Sequence, residues 1–386
     1  MNLEPKTFFE AIATADSERI HSETIAWIYG IDNSILSDEE KSRSLNLLSG
    51  INQDSVYSNF QIVTEEDNVD ILIKTDQIIF AIENKLKSSE HKAGSGETWQ
   101  TEYYLQHLKK KYRDLPISAI YLTLIGERAS DEKWVNKTYK DLHEALSILK
   151  FSINSKEQII SQDYLVTIGR LANVYDEFIA NYPTFKNVFG TKHIKGNELD
   201  NSISMEERHI LNLGLQTIFT KAFMWMIFYS ANLKKRNVSI SESHGYGRMY
   251  YEIKDYLDRN YSVLQDKDQN DIPNMQFAFV IQRDTFKVGL LHKSYGSSNP
   301  ERLTKNFKDR FFECFRIWNS SLSNWDKYVS TSKPCKQNKP KKDIQPRVSV
   351  SFKLKKPLHE IPKQDLVSLV KDSIRTAEDL IEKFLT

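Results

Sequence analysis

The alternation of apolar and polar positions reads first as a helix and then as a run of short strands. From Ser17 to Gly30 (SERIHSETIAWIYG), Ile20, Trp27 and Ile28 recur at roughly helical spacing behind a serine N-cap candidate and stop at glycine, which predicts a helix. From Val56 to Lys87 the texture changes to β-favouring runs, NFQIV, VDILI and IIFAIENKL, separated by the polar stretches EEDN and KTDQ. These predict consecutive strands of a meander. A glycine-containing connection, SSEHKAGSGE, leads into TWQTEYYLQHLKKKY, whose Trp99, Tyr103, Leu105 and Leu108 are set to line one side of a helix. The apolar run ISAIYLTLIG, Ile117 to Gly126, predicts a buried strand, so the chain crosses over through that helix and returns to the same sheet. Tyr139 to Leu149 and Ser161 to Tyr182 predict two further helices.

Beyond Asn181 the stretch YPTFKNVFGTKHIKGNELDN has the composition of a loop and marks a boundary. The expected organisation is therefore a first domain over 1–182 and a mixed α+β region over 200–386. In the latter, a helix is expected over Glu206 to Leu233. Strands are expected at Met249 to Ile253, Phe277 to Ile281, Phe286 to Leu291 and Val348 to Leu354, and helices near Glu301 to Ser320 and Lys363 to Phe384. The most apolar window, Ala222 to Ala231, has roughly half of the ~20 residues a membrane-spanning helix needs and predicts a buried helix instead.

Composition narrows the class without naming a partner. Lys and Arg (53) nearly balance Asp and Glu (52), so a nucleic-acid surface would have to be local. One segment qualifies: SKPCKQNKPKKDIQPR concentrates Lys333, Lys336, Lys339, Lys341, Lys342 and Arg347, either as a solvated loop or as a phosphate-binding stretch. Cys314 and Cys335 are too few for a disulfide framework and lack zinc-site spacing, which suits a reducing cytoplasm. The first ten residues carry acids and a proline where a signal peptide has a basic and then an apolar stretch, so neither export nor membrane insertion is expected.

The chemistry concentrates at the strand hairpin. Asp70 opens VDILI, and Glu83 and Lys85 end the next strand in AIENK. Residues two apart on a strand share a face, so Glu83 and Lys85 project together while Ile82 and Asn84 face the other way, and the hairpin brings Asp70 beside them. Two carboxylates at the edge of a core repel each other and are costly to desolvate, and a divalent cation offsets both effects. Oxygen ligands favour magnesium or manganese over zinc. The plain reading is a surface ion pair on a hairpin.

An aspartate, about a dozen residues, then E-x-K across a hairpin resembles the PD-(D/E)XK nuclease superfamily, with Val69 standing where the motif has proline. Glu18, His21 and Ser22 resemble the first helix of one bacterial branch, Gln100 and Tyr103 the helix after E-x-K, and IYLTLIG the strand after that. The similarity covers roughly residues 15 to 180. The resemblance implies a restriction-endonuclease-like α/β fold, a mixed β-sheet core flanked by helices. It implies Asp70, Glu83 and Lys85 as catalytic residues, Glu18 as an extra metal ligand beside Asp70 and Glu83, and Gln100 on the substrate side; the charge of the basic segment, outside the resemblance, adds Lys339, Lys341 and Lys342 as substrate-binding candidates. The expected function is a Mg2+-dependent endonuclease, Mn2+ substituting, acting on DNA rather than RNA in bacterial antiviral defence. A homodimer and an activating partner protein are both compatible with one site per chain. The rival is a non-catalytic nucleic-acid-binding or scaffold protein that retains the fold. His21 is expected to be a structural hydrogen-bonder, and Glu23 is a rival to Glu18.

Overall fold

A computed structural model describes residues 6–12, 14–51, 54–93, 98–152, 155–185, 187–189, 203–232 and 358–372, and the backbone of six further strands between 238 and 354. The chain divides into two compact units, one of residues 1–180 with 195–222, the other of 181–194 with 223–386.

In the first unit the helices are α1 (Phe8–Ala11), α2 (Glu18–Tyr29), α3 (Asp38–Ser49), α4 (Gln100–Lys111), α5 (Tyr139–Ser147) and the long α6 (Lys156–Asn181). The strands are β1 (Gln61–Thr64), β2 (Ile71–Lys74), β3 (Ile79–Lys85), β4 (Lys92–Ala93), β5 (Thr98–Trp99), β6 (Ile117–Thr123) and β7 (Val135–Thr138). Five of these form a mixed sheet in the order β1-β2-β3-β6-β7. The first three are the expected antiparallel meander, with Ile71 opposite Ile82, and β6 returns parallel to β3, with Glu83 beside Tyr121. β4 and β5 make a separate two-stranded hairpin.

Every residue of β3 is buried, as befits a central strand covered on both faces. On one face Leu72, Ala81, Ala119 and Tyr121 pack against Tyr104, Leu105 and Leu108 of α4. The other face is covered by α2, α3 and α5, which meet through buried polar contacts: Tyr29 with Ser44, Ser44 with the Ala145 carbonyl, and Tyr139 with Asn84. A mixed sheet flanked by helices is the architecture the resemblance implied.

Several local expectations need correction. Ser17 precedes α2, but its side chain makes no capping bond. On α4 the buried face is Gln100, Thr101, Tyr104, Leu105 and Leu108, whereas Tyr103 is 42 % exposed, because Gln100 starts the helix and sets its phase. The single helix expected over Glu206 to Leu233 is two, α7 (Met205–Asn212) and α8 (Gln216–Ser230). They turn by 115° at a break that holds Gly214 in the left-handed region, φ 65. No single helix among the described residues is long and apolar enough to cross a membrane.

The second unit holds a six-stranded antiparallel sheet, order β12-β13-β11-β10-β9-β8. Its strands are β8 (Val238–Ser243), β9 (Tyr246–Glu252), β10 (Asn274–Gln282), β11 (Thr285–Lys293), β12 (Trp325–Thr331) and β13 (Arg347–Leu354). Four match the expected runs; β8 and β12 were not foreseen. Residues 363–372 are helical. The helix expected at 301–320, both cysteines, and Lys333, Lys336, Lys339, Lys341 and Lys342 lie outside the described residues.

Candidate active site

The β2–β3 register places Asp70, one residue ahead of β2, opposite Glu83. The two carboxylates therefore share a face at the end of the central strand. Asp70 Oδ2 accepts from the Asn84 amide at 2.7 Å. Lys85 Nζ lies 2.6 Å from Glu83 Oε1, with the two side chains 7 % and 1 % exposed. That burial excludes the surface-pair reading, since an ion pair left in water contributes little and needs no enclosing core.

The alternation across E-x-K is used on both faces. Asn84 points away from the carboxylates and is fully buried, its Nδ2 donating to the Glu18 carbonyl (3.2 Å) and to Ser22 Oγ (3.0 Å), its Oδ1 accepting from Tyr139 (2.9 Å). The same residue thereby fixes α2 and α5 behind the strand that carries the acids.

From the front, Gln100 at the start of α4 donates from Nε2 to Glu83 Oε1 and to the Tyr104 hydroxyl, both at 2.8 Å. Gln100, expected on the substrate side, is bonded directly to Glu83. Its aromatic companion is Tyr104 rather than Tyr103. Spacing alone does not choose between them, because residues three and four apart both neighbour residue 100 on a helix of 3.6 residues per turn.

Glu18 is held at the same end of β3 by a different set of partners. Its carboxylate accepts from the amides of Leu86 (2.8 Å), Lys87 (3.3 Å) and Ser88 (3.3 Å) and from Ser88 Oγ (2.9 Å). It is thus engaged by the segment leaving β3, while still acting electrostatically on Asp70, Glu83 and Lys85. Among the described residues no three His, Cys, Asp or Glu side chains converge as a ready-made metal cage. Glu23 is elsewhere, beside Thr64 and Arg19. His21 is buried between the Ala15 carbonyl (3.0 Å) and the Tyr164 hydroxyl (3.1 Å), the structural role expected of it.

Electrostatics show what the pair lacks. Burial raises Asp70 to about 6, against the pull of Lys85 and the Asn84 amide, with Glu18 and Glu65 adding to the rise. Burial, then the charge of Asp70, raises Glu83 to about 8, again against Lys85. Lys85 is desolvated too, yet Glu83 and Asp70 outweigh that and push its pKa up, so it is a fixed cation. One ammonium does not satisfy a buried carboxylate and a half-buried one beside it. Glu83 Oε2 and Gln100 Oε1 are both buried with no hydrogen-bond partner among the described residues. An orphaned buried carboxylate oxygen beside a second carboxylate fits a hard divalent cation, which would draw both groups into their charged forms.

Residues 6–182 match the family model described as the PD-(D/E)XK nuclease superfamily. Comparison with curated proteins and with solved structures finds no match. With Asp70, Glu83 and Lys85 gathered at the end of its central strand, it is the segment 6–182, a little under half of the chain, that matches the PD-(D/E)XK nuclease superfamily.

Proposed function

We propose that the chain is a divalent-metal-dependent endonuclease that hydrolyses phosphodiester bonds in DNA, with magnesium as its metal and manganese as a substitute. The observation that carries this reading is the pair of half-buried Asp70 and buried Glu83, in which Glu83 Oε2 has no hydrogen-bond partner among the described residues while the Lys85 ammonium lies 2.6 Å from Glu83 Oε1. When bound, the metal supplies Lewis acidity, polarising the phosphoryl oxygen and making water easier to deprotonate. Asp70 and Glu83 are the residues that would hold it. The amides of residues 86–88 all donate to Glu18 Oε2, so Oε1, which accepts from Ser88 Oγ, is the oxygen by which Glu18 would join them.

The chain's own groups do the rest. Lys85 stays protonated, so it orients the attacking water by donating to it and offsets the charge that builds on the phosphate oxygens. Gln100 fixes the face that Glu83 presents. The water oxygen forms its bond to phosphorus and gives up a proton to solvent, the bond to the leaving sugar oxygen breaks, and that oxygen takes up a proton from solvent. The C-terminal unit, with its Lys-rich 333–347 segment, is assigned to selecting or positioning the nucleic acid. A role in bacterial antiviral defence, a cytoplasmic setting, a homodimer that cuts both strands and an activating partner complete the proposal.

The test is cleavage of supercoiled, linear and single-stranded DNA with magnesium, manganese or EDTA, using the wild type beside Asp70→Asn, Glu83→Gln and Lys85→Met. We expect metal-dependent cutting that falls by at least about 100-fold in each variant. Cutting that survives EDTA, or variants that cut at the wild-type rate, would overturn the reading.

A further inference from the structure

The turn from β1 into β2 has an uncommon backbone. Glu65 and Asp67 sit at φ 58 and Asn68 at φ 65, so three non-glycine residues within four occupy the left-handed region. L side chains stay there only where their surroundings over-determine it. The turn is closed at its base, the Glu65 amide donating to the Asp70 carbonyl at 3.2 Å, so its last residue is the first carboxylate of the site.

What surrounds it is the far end of α4. Lys111 Nζ lies 2.8 Å from both carboxylate oxygens of Asp67 and 3.1 Å from Glu66 Oε1. The Tyr112 hydroxyl donates to Asp67 Oδ2 (3.0 Å) and Glu66 Oε1 (3.2 Å), and His107 Nε2 is 3.5 Å from Asp67 Oδ1. Lys74 of β2 donates to both Glu66 oxygens, at 3.0 and 2.9 Å. This cage leaves the Asp67 side chain 9 % exposed. Val69, adjacent to Asp70, is fully buried with Tyr104, Leu105 and Leu108 of the same helix. A single exposed pair holds little, but several donors converging on one carboxylate fix its place.

We propose that α4 is a strut that sets the position of both metal-holding carboxylates. Gln100 fixes Glu83 at one end, and the clamp of Lys111 and Tyr112 on Asp67 fixes the turn that delivers Asp70 at the other. Lys111 is then a positioning residue that acts through Asp67. The proposal rests on the nuclease reading of the site.

The experiment measures Mn2+ binding by titration calorimetry on the full chain, with the unfolding temperature of each sample alongside. The proteins are the wild type, Lys111→Met, Lys111→Arg and Tyr112→Phe. Positioning predicts that Lys111→Met weakens Mn2+ about tenfold and that Lys111→Arg restores most of the loss. Long-range charge predicts the opposite sign, since removing a cation would tighten a divalent ion. A Lys111→Met protein that binds Mn2+ as well as or better than the wild type overturns the proposal, whatever its unfolding temperature. Should that variant fail to fold, Tyr112→Phe decides: weakened Mn2+ binding supports the clamp, and unchanged binding overturns it. A wild type that takes up no Mn2+ overturns the nuclease reading and the strut with it, an outcome separate from failure of the variants alone.

Discussion

At the scale of single residues, the site depends on what stands between and behind its charges. Glu83 and Lys85 share one face of β3 with Asp70 while Asn84 between them closes three hydrogen bonds to α2 and α5. Just behind, His21 is buried and hydrogen-bonded as a neutral ring, and burial, partly offset by the Ala15 carbonyl, lowers its pKa from 6.5 to about 4. The consequence for stability follows from linkage. Unfolding frees the imidazole to take up a proton below about 6.5, which the folded state refuses until about 4. The contribution of His21 is therefore complete above pH 6.5 and is lost as pH falls through that window. We expect the unfolding temperature of the metal-free wild type to drop between pH 6.5 and 4 more steeply than that of His21→Gln. Parallel slopes would place the titration elsewhere.

Elements succeed or fail here through their ends and connections. β6 joins β7 in parallel pairing through residues 124–134, and the bend begins at Gly126, φ +64. A Cβ there would meet the Tyr175 hydroxyl at 3.1 Å, the same group that donates to the Ile125 carbonyl at 2.9 Å. Gly126→Ala thus adds left-handed strain and displaces a hydrogen bond. The expected cost is about 2 kcal/mol, read from denaturant unfolding. A change of a few tenths would mean that the bend relaxes freely. α3 teaches a different lesson. Its buried face is Ser42, Ser44, Asn46 and Ser49 beside Leu45 and Leu48, so it lacks the aliphatic stripe that announces a helix. Ser42 and Ser49 bond the carbonyls four residues back in the helix, whereas Ser44 and Asn46 find Ala145, Ser55 and Tyr57 outside it.

For the whole molecule, the matched segment is less than the folding unit. Residues 203–222 belong to the same compact unit as the described residues before 181. Phe219 stacks edge-on against Tyr175 and Phe178, at 6.2 and 5.1 Å between ring centres, and His209 Nε2 is 3.9 Å from Glu10. Lys221 and Glu127, each 1 % exposed at the side chain, lie 3.7 Å apart, and Glu127 also accepts from Ser89 in the segment that leaves β3. Removing the cation beside a buried carboxylate costs about 3 kcal/mol or more. A chain ended at residue 182 would lose that cation together with the packed rings. We expect it to lose cooperative thermal unfolding while the full chain retains it. A sharp transition at the full-chain temperature would show that residues 6–182 are self-sufficient.

The sequence by itself determined the meander, the crossover helix, the returning strand and the trio Asp70, Glu83 and Lys85. Period-two alternation and a twelve-residue hairpin spacing leave no other face for those side chains. Gln100 was legible only through the resemblance of WQTEYY to the helix that follows E-x-K. Tertiary structure alone decided the rest. It chose Tyr104 over Tyr103 by fixing the phase of α4, turned Glu18 toward the amides of residues 86–88, and gave α3 a buried face of serines. It also recruited Lys111 to the turn before Asp70 and Lys221 to Glu127 across long separations in the chain. Local periodicity reports which face of an element is buried, whereas a charge or hydroxyl finds its partner only after distant segments have packed together.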